Sequence, residues 1–383
     1  MIREEFDYEK EHKIVGWYPP VKGAIWFSPE GMPSTPRYYR PIEARENFKM
    51  LFKNEIPYWI PDCGPVSTDV TAFRPRQHPD NLANHQAFDG GDTIDFDRLG
   101  DTLPGWFDIE YQWEPQCGGA SPKPGKVKIS DIAKWEDSIT FPNLDEMDWE
   151  GILAMNKEYL NTDRVNQLGL QFSFWERLMN AMGVAEAAMA LIDEEQQEGV
   201  HRFFDKLSDL YIEYVQRMCK CCKLDSIVVH DDWGHASGAF FSLDTCREMI
   251  VPYFKRFIKA CHNEGLIFEH HCCGKAESLV PAMIESGVDY WMPQPALNDL
   301  DKLIETYRND PITFAVSSPK LSTDMSEEQI QKMAESWVEK YKDKGVLLGP
   351  NMIVSPDNDF GQYPIFKNAV YMFSRIAYQD AEI

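Results

Sequence analysis

Positive charge is scarce in this chain: of 383 residues, 38 are Lys or Arg against 62 Asp or Glu, a formal net charge of −24. Polyphosphate binding needs a basic face and counterion release, so the balance argues against nucleic acid as a partner. It equally disfavours docking on an anionic membrane. No stretch approaches the roughly 20 apolar residues that span a bilayer, and the opening Met1 to Asp7 lacks the apolar run of a signal peptide. An even cysteine count is missing too. The nine cysteines, at 63, 117, 219, 221, 222, 246, 261, 272 and 273, include two vicinal pairs and read as reduced thiols rather than a secreted disulfide framework. Internal repeats and low-complexity tracts are absent. Together these features predict a soluble, cytoplasmic protein.

The composition, 43% hydrophobic and 26% charged, is that of a globular chain long enough for one large domain or two ordinary ones. From about residue 165 onward, short β-like runs alternate with longer helical patterns, as a parallel barrel requires. The strand candidates are Leu168 to Phe174, Asp225 to His230, Leu266 to His271, Val288 to Met292, Ile312 to Val316 and Val346 to Leu348. Between them lie segments such as Glu327 to Lys342, whose apolar residues recur at helical spacing. Pro57 to Pro61, after the helical pattern Arg45 to Phe52, is a candidate for a remaining strand. The predicted fold is α/β, a (β/α)8 TIM barrel over residues 41–383. It is preceded by an N-terminal arm, 1–40, without regular structure, and interrupted at about 65–140 by an insertion with short strands such as Phe107 to Trp113. The arm's aromatics, among them Trp17, Trp26, Phe27 and Tyr38, either anchor loops or form a substrate lid.

Two clusters carry chemistry. Glu269-His270-His271-Cys272-Cys273-Gly274 ends a strand, and in a parallel barrel that end is where catalysis sits. Successive strand residues face opposite sides, so His271 and Cys273 can point together while His270 and Cys272 point away. One imidazole and one thiolate suit Zn2+; the competing reading is a buried strand end with an inert thiol. The second cluster, His230-Asp231-Asp232-Trp233-Gly234-His235, ends the preceding strand and is therefore expected beside the first. Its adjacent carboxylates are either a solvated turn or groups of perturbed proton affinity. Cys219, Cys221 and Cys222, on a helical stretch, read as structural.

The ordered set Asp231-Asp232-Trp233-Gly234, Pro252 to Arg256, His271-Cys272-Cys273-Gly274 and Gly287-Val288-Asp289 resembles the uroporphyrinogen decarboxylase superfamily, in particular its zinc- and cobalamin-linked methyltransferase branch. Arg45-Glu46, Asp148-Trp149 and Gly183 to Ala187 extend the resemblance over most of residues 40–378. The family fold it implies is again a (β/α)8 barrel. The decarboxylase branch grips a polycarboxylated tetrapyrrole with an N-terminal Arg-rich motif; here Arg37, Arg40 and Arg45 are scattered among aromatics, and the net charge would repel a polyanion. The methyltransferase branch has His-x-Cys where His271 and Cys273 stand, plus a later Cys as third zinc ligand. No cysteine follows Cys273, and the matching region reads Gly349-Pro350-Asn351-Met352-Ile353. Either a third ligand comes from elsewhere, with Glu269, His230, Asp232 and Cys272 as candidates, or the site binds no zinc.

Replacing a thiolate by a carboxylate or a second imidazole leaves zinc better suited to polarising a neutral oxygen than to carrying a thiolate. The resemblance then implies an enzyme that demethylates a methoxylated, aromatic donor, with His271, Cys273 and Glu269 on zinc and Asp231, Asp232 and His230 as catalytic groups. Asp231 or Asp232 would protonate the leaving oxygen or orient a ligand histidine. The 22 Phe, 16 Tyr and 11 Trp fit a flat aryl donor, and an ordinary core equally. The chain has no cobalamin-binding Asp-x-His-x-x-Gly stretch, so the Co(I) corrinoid must come on a partner protein. A cofactor-free decarboxylase, a methylcobalamin:thiol methyltransferase and a non-catalytic binding barrel are the alternatives, and a homodimer fits the fold.

Overall fold

The computed structural model describes residues 3–21, 33–63, 67–75, 89–90, 103–114, 119–350 and 362–381. Trp26, Phe27, Asn351 to Ile353 and much of the 65–140 region lie outside the described residues. Strands are numbered along the chain, β9 (Gly234–His235) and β10 (Gly238–Ala239) being a two-residue antiparallel pair, and helices are numbered as they are introduced. The N-terminal arm holds a one-turn helix α1 (Tyr8–Glu11) and the antiparallel strands β1 (Ile14–Tyr18) and β2 (Thr35–Tyr38). It is therefore more regular than expected: the Asp7 carboxylate accepts from the Lys10 amide and starts the helix, and the two short strands satisfy each other's backbone.

The centre is a curled sheet of seven parallel strands: β3 (Val70–Phe73), β7 (Val165–Leu170), β8 (Ser226–His230), β11 (Ile267–Cys272), β12 (Tyr290–Pro293), β13 (Thr313–Ser317) and β14 (Leu347–Gly349). They pair in the order β14-β13-β12-β11-β8-β7-β3. Every residue of β7 is buried, as expected of a strand covered on both faces. Beyond β14 the segment 61–63 adds a short eighth stave, with Leu348 donating to Pro61 O and Cys63 donating to Leu348 O, both at 2.9 Å. The Asp62 amide in turn donates at 2.9 Å to the carboxylate of Asp69, which precedes β3, so a side chain bridges the two ends of the curl. The fold is thus the predicted TIM-barrel type. Its second stave, Val70–Phe73, is one that the strand pattern does not reveal.

Helices follow the strands and cover them. Among them are α2 (Ala44–Leu51), α3 (Phe174–Met182), the long α4 (Glu194–Cys221), α5 (Val251–Asn263), α6 (Glu327–Tyr341) and α7 (Tyr363–Tyr378). Phe254 and Phe257 of α5 meet Phe268, which points outward from β11, at 5.4 and 5.8 Å between ring centroids. Phe48 of α2 and the following Phe52 meet Tyr290 inside the sheet at 6.0 and 5.6 Å. They plug the end of the barrel where the strands begin, which leaves the opposite mouth for chemistry. In the 65–140 region three strands, β4 (Leu103–Pro104), β5 (Glu110–Glu114) and β6 (Gly119–Pro122), form a small antiparallel sheet. Phe107, expected within a strand, instead sits in a turn with φ of 67°.

The arm is tied to the barrel by buried charge. Arg375 of α7 is fully buried and holds the Glu11 carboxylate at 2.8 Å, while Tyr371 donates to the same carboxylate. Removing one partner of such a pair strands the other charge out of water. Glu11→Ala is therefore expected to destabilise the protein by roughly 3–5 kcal/mol, read as a lower denaturant midpoint; an unchanged midpoint would show that the arm contributes nothing to folding.

Candidate metal centre

Side-chain direction alternates along a strand, and parallel neighbours in register share a face. His230 lies opposite His271, and Val228 opposite Glu269, so Glu269, His271, Cys273, His230 and Asp232 fall on the inner face. Phe268, His270, Cys272 and Asp231 fall on the outer one. The outward set is fully occupied by structure. His270 packs between Trp233 and Phe254, tilted to one ring and edge-on to the other, at 4.6 and 5.3 Å between centroids, and its Nε2 donates to Asp231 O at 3.1 Å; burial pushes its pKa down to about 3. The Cys272 sulfur accepts from the Trp233 amide at 3.2 Å.

Asp231 works as a remote helix cap. Its carboxylate accepts from Trp175 N at 3.3 Å, Glu176 N at 2.9 Å and the Trp233 indole at 2.8 Å. It thereby satisfies first-turn amides of α3 that Ser173, the residue at the N-cap, leaves unbonded. Burial raises its pKa to about 7, against the pull of those three donors. The structure therefore does not bring the Asp231 carboxylate, expected as a catalytic group, to the inner-face groups.

Three side chains do converge. Ligand atoms of Asp232, His271 and Cys273 all lie within 4.8 Å of one another, with His271 Nε2 at 3.3 Å from Cys273 Sγ. Around a tetrahedral ion bonded at about 2.1 Å to N and about 2.3 Å to S, that edge would measure about 3.6 Å. The Asp232 Oδ1 accepts from the Cys273 amide at 2.7 Å, which fixes the two loops against each other. The fixation depends on two glycines: a Cβ on Gly274, where φ is +76°, would sit 2.2 Å from the Gly234 carbonyl carbon. Of the four residues named as a third ligand, Asp232 is the one that lies with His271 and Cys273, whereas Glu269 stands two residues deeper along β11. There its carboxyl accepts from Gln167 at 2.7 Å and from Tyr290.

The electrostatics of this corner are strained without a cation. Burial pushes the Cys273 thiol up, and the Asp232 and Glu176 carboxylates add to the push. Glu176, in the first turn of α3, is itself pushed well above the usual carboxylate range by burial and then by Asp232 and Asp231. Burial lowers the His271 pKa, leaving a neutral imidazole able to bind metal. A thiol and a carboxyl that burial and their neighbours hold toward the protonated form, beside a second carboxylate, are the donor chemistry that a divalent ion would resolve, so the residues present fit zinc.

On the other side of His271, at 4.7 Å between ring centroids, stands His230. The buried Arg74, just beyond β3, reaches across β7 to donate to His230 Nε2. It can do so because Gly169 intervenes: a Cβ there would lie 2.4 Å from Arg74 Nε. Burial brings the Arg74 pKa down to about 10, with Glu269 opposing. Sequence reading missed Arg74 and Glu176. Each is a charged residue at the strand-end side of a βα unit, a signal usable only once the units themselves are placed.

Burial also raises the Glu269 pKa from 4.5 to about 7. The folded state therefore prefers its protonated form, and the stability this contributes is present below about pH 4.5 and lost as pH rises through about 7, on the order of 3 kcal/mol. In metal-free protein Glu269→Gln should flatten that decline in a series of urea midpoints against pH. Parallel curves for the two proteins would show that Glu269 is ionised at no cost.

The family described as Uroporphyrinogen decarboxylase (URO-D) matches residues 126–371, a span that includes every residue of this site except Arg74. No curated protein matches the chain. Among solved structures, a B12-independent methionine synthase from Shewanella sp. W3-18-1 is 10% identical over 63% of this chain and 69% of its own, with a TM-score of 0.40. A sugar phosphate isomerase/epimerase from Parabacteroides distasonis ATCC 8503 is 8% identical over 62% and 89%, with a TM-score of 0.31. A D-psicose 3-epimerase from Clostridium cellulolyticum H10 is 11% identical over 60% and 82%, with a TM-score of 0.34. Likenesses this distant carry no argument about activity. No helix among the described residues is long and apolar enough to cross a membrane.

Proposed function

The chain belongs to the uroporphyrinogen decarboxylase family, and from that premise we propose that it is a zinc-dependent methyltransferase, moving methyl from a methoxylated aromatic donor to the Co(I) corrinoid of a partner protein in the cytoplasm. The observation that carries this reading is the convergence of Asp232, His271 and Cys273 at the strand ends. Decarboxylation by the family's cofactor-free route has no use for such a set.

Asp232, His271 and Cys273 would hold the ion, and zinc, when bound, supplies Lewis acidity toward the donor oxygen. The rest falls to the chain. Asp232 spends Oδ1 on the Cys273 amide and keeps Oδ2 for the ion. A guanidinium can only donate, so Arg74 makes His230 Nε2 an acceptor and leaves the proton on Nδ1. His230 is then a fixed neutral donor on the inner wall beside the metal set. As methyl leaves for the Co(I) centre of the partner protein, the electron pair of the carbon–oxygen bond stays on oxygen, and His230 Nδ1–H would hydrogen-bond the developing phenolate. The polar layer of Gln167, Glu269 and Tyr290 lies deeper in the barrel than the candidate ligands.

A second reading, a decarboxylase, is favoured by the buried Arg74, since a guanidinium on the inner wall suits a substrate carboxylate. Metal analysis separates the two. Purified protein is expected to carry about one zinc per chain, lost in His271→Ala, Cys273→Ala and Asp232→Asn, together with methyl transfer from methoxyarenes to a reduced corrinoid protein. Zinc kept in all three variants, or turnover indifferent to chelators, would remove the methyltransferase reading.

A further inference from the structure

Three protein ligands leave the candidate ion one donor short of a tetrahedron, and the neighbouring α3 supplies a side chain with an unmet need. Glu176 is 7% exposed, and its Oε2 is buried with no hydrogen-bond partner. An orphaned polar atom of this kind destabilises the fold, more so when charged. The position of the residue is not an accident of its side chain. Its backbone amide is held at 2.9 Å by Asp231, so the cap that starts α3 also sets where the Glu176 carboxyl projects. That carboxyl is within electrostatic reach of Asp232 and of the Cys273 sulfur.

Resting on the metal-site reading above, we propose that Glu176 is the fourth ligand of the donor-free enzyme, completing a one-nitrogen, one-sulfur, two-oxygen set with His271, Cys273 and Asp232. Without an ion, bringing an ionised Glu176 up to Asp232 and the Cys273 sulfur would set like charges against one another, and Glu176 lies outside the 4.8 Å trio. A divalent ion reverses the sign of that interaction and gives Oε2 its missing partner. Closed catalytic sites do not react, so this ligand is the one that must yield its position to the methyl donor. It is the suitable one, because a carboxylate on a side chain with three rotatable bonds releases more readily than a thiolate or an imidazole fixed on a strand end. The arrangement also accounts for a site that lacks a second cysteine: the negative charge is supplied by a carboxylate from another βα unit.

The test uses the full chain stripped of metal and reloaded with Co2+, or with Zn2+ in competition with a chelating indicator. Glu176→Ala and Glu176→Gln are expected to weaken Zn2+ binding by about tenfold or more and to change the visible d–d bands of the cobalt form, while the sulfur-to-cobalt charge-transfer band from Cys273 persists. Glu176→Gln keeps the side chain's shape and preserves the test should the alanine variant fail to fold. Affinity and cobalt spectra identical to those of the unaltered protein in both variants would overturn the assignment of Glu176 while leaving the three-ligand site standing. Failure of the unaltered protein to bind either ion stoichiometrically would overturn the site itself, and Glu176 with it.

Discussion

The parallel register that sets His230 opposite His271 is the constraint on which the rest of the site depends. Once that pair is opposed, period-two alternation assigns every neighbouring side chain to an inner or outer face. Asp232 and Cys273 continue one residue pair further on the inner face and meet, while Asp231 and Cys272 turn outward. A slip of one residue would exchange the two sets, placing a helix cap and a buried thiol in the barrel mouth and the candidate ligands among the helices. The two loops can close this tightly because Gly274 and Gly234 touch backbone to backbone.

Charge is layered along the barrel axis. At the closed end Phe48 and Phe52 make an apolar plug; above it Gln167, Glu269 and Tyr290 satisfy one another; at the mouth sit the acidic and sulfur donors, with Arg74 and His230 on their flank. Each polar layer is enclosed, so interactions within it are screened little, and each group's proton affinity is set by its immediate neighbours. The same residue type thereby acquires different work. Asp231 spends its carboxylate on backbone amides, Asp232 fixes the Cys273 loop, and Glu269 braces a tyrosine.

Much of the fold was legible because local periodicity survives in the sequence: the strand candidates from Asp225 onward match observed strands to within two residues at each end. Val70–Phe73 escaped notice, since four residues in a region rich in Gly, Pro and Trp offer too short a pattern, and Leu168 to Phe174 runs into α3 because apolar residues continue across the turn. Glu269 illustrates a different limit. It shares the inner face with His271, but two residues of strand amount to nearly 7 Å of depth, and only the partners Gln167 and Tyr290 from other strands reveal that it is spoken for.

What the sequence by itself determined is therefore whatever depends on neighbours along the chain: the barrel-type alternation, the common direction of His271 and Cys273, and a strongly acidic charge balance. Tertiary structure alone decided which of two adjacent aspartates faces the mouth, and that Arg74 and Glu176 join the site from strands and helices far away in sequence. The physical reason is that register and crossing distance arise from packing of the whole sheet, so no window of the chain encodes them.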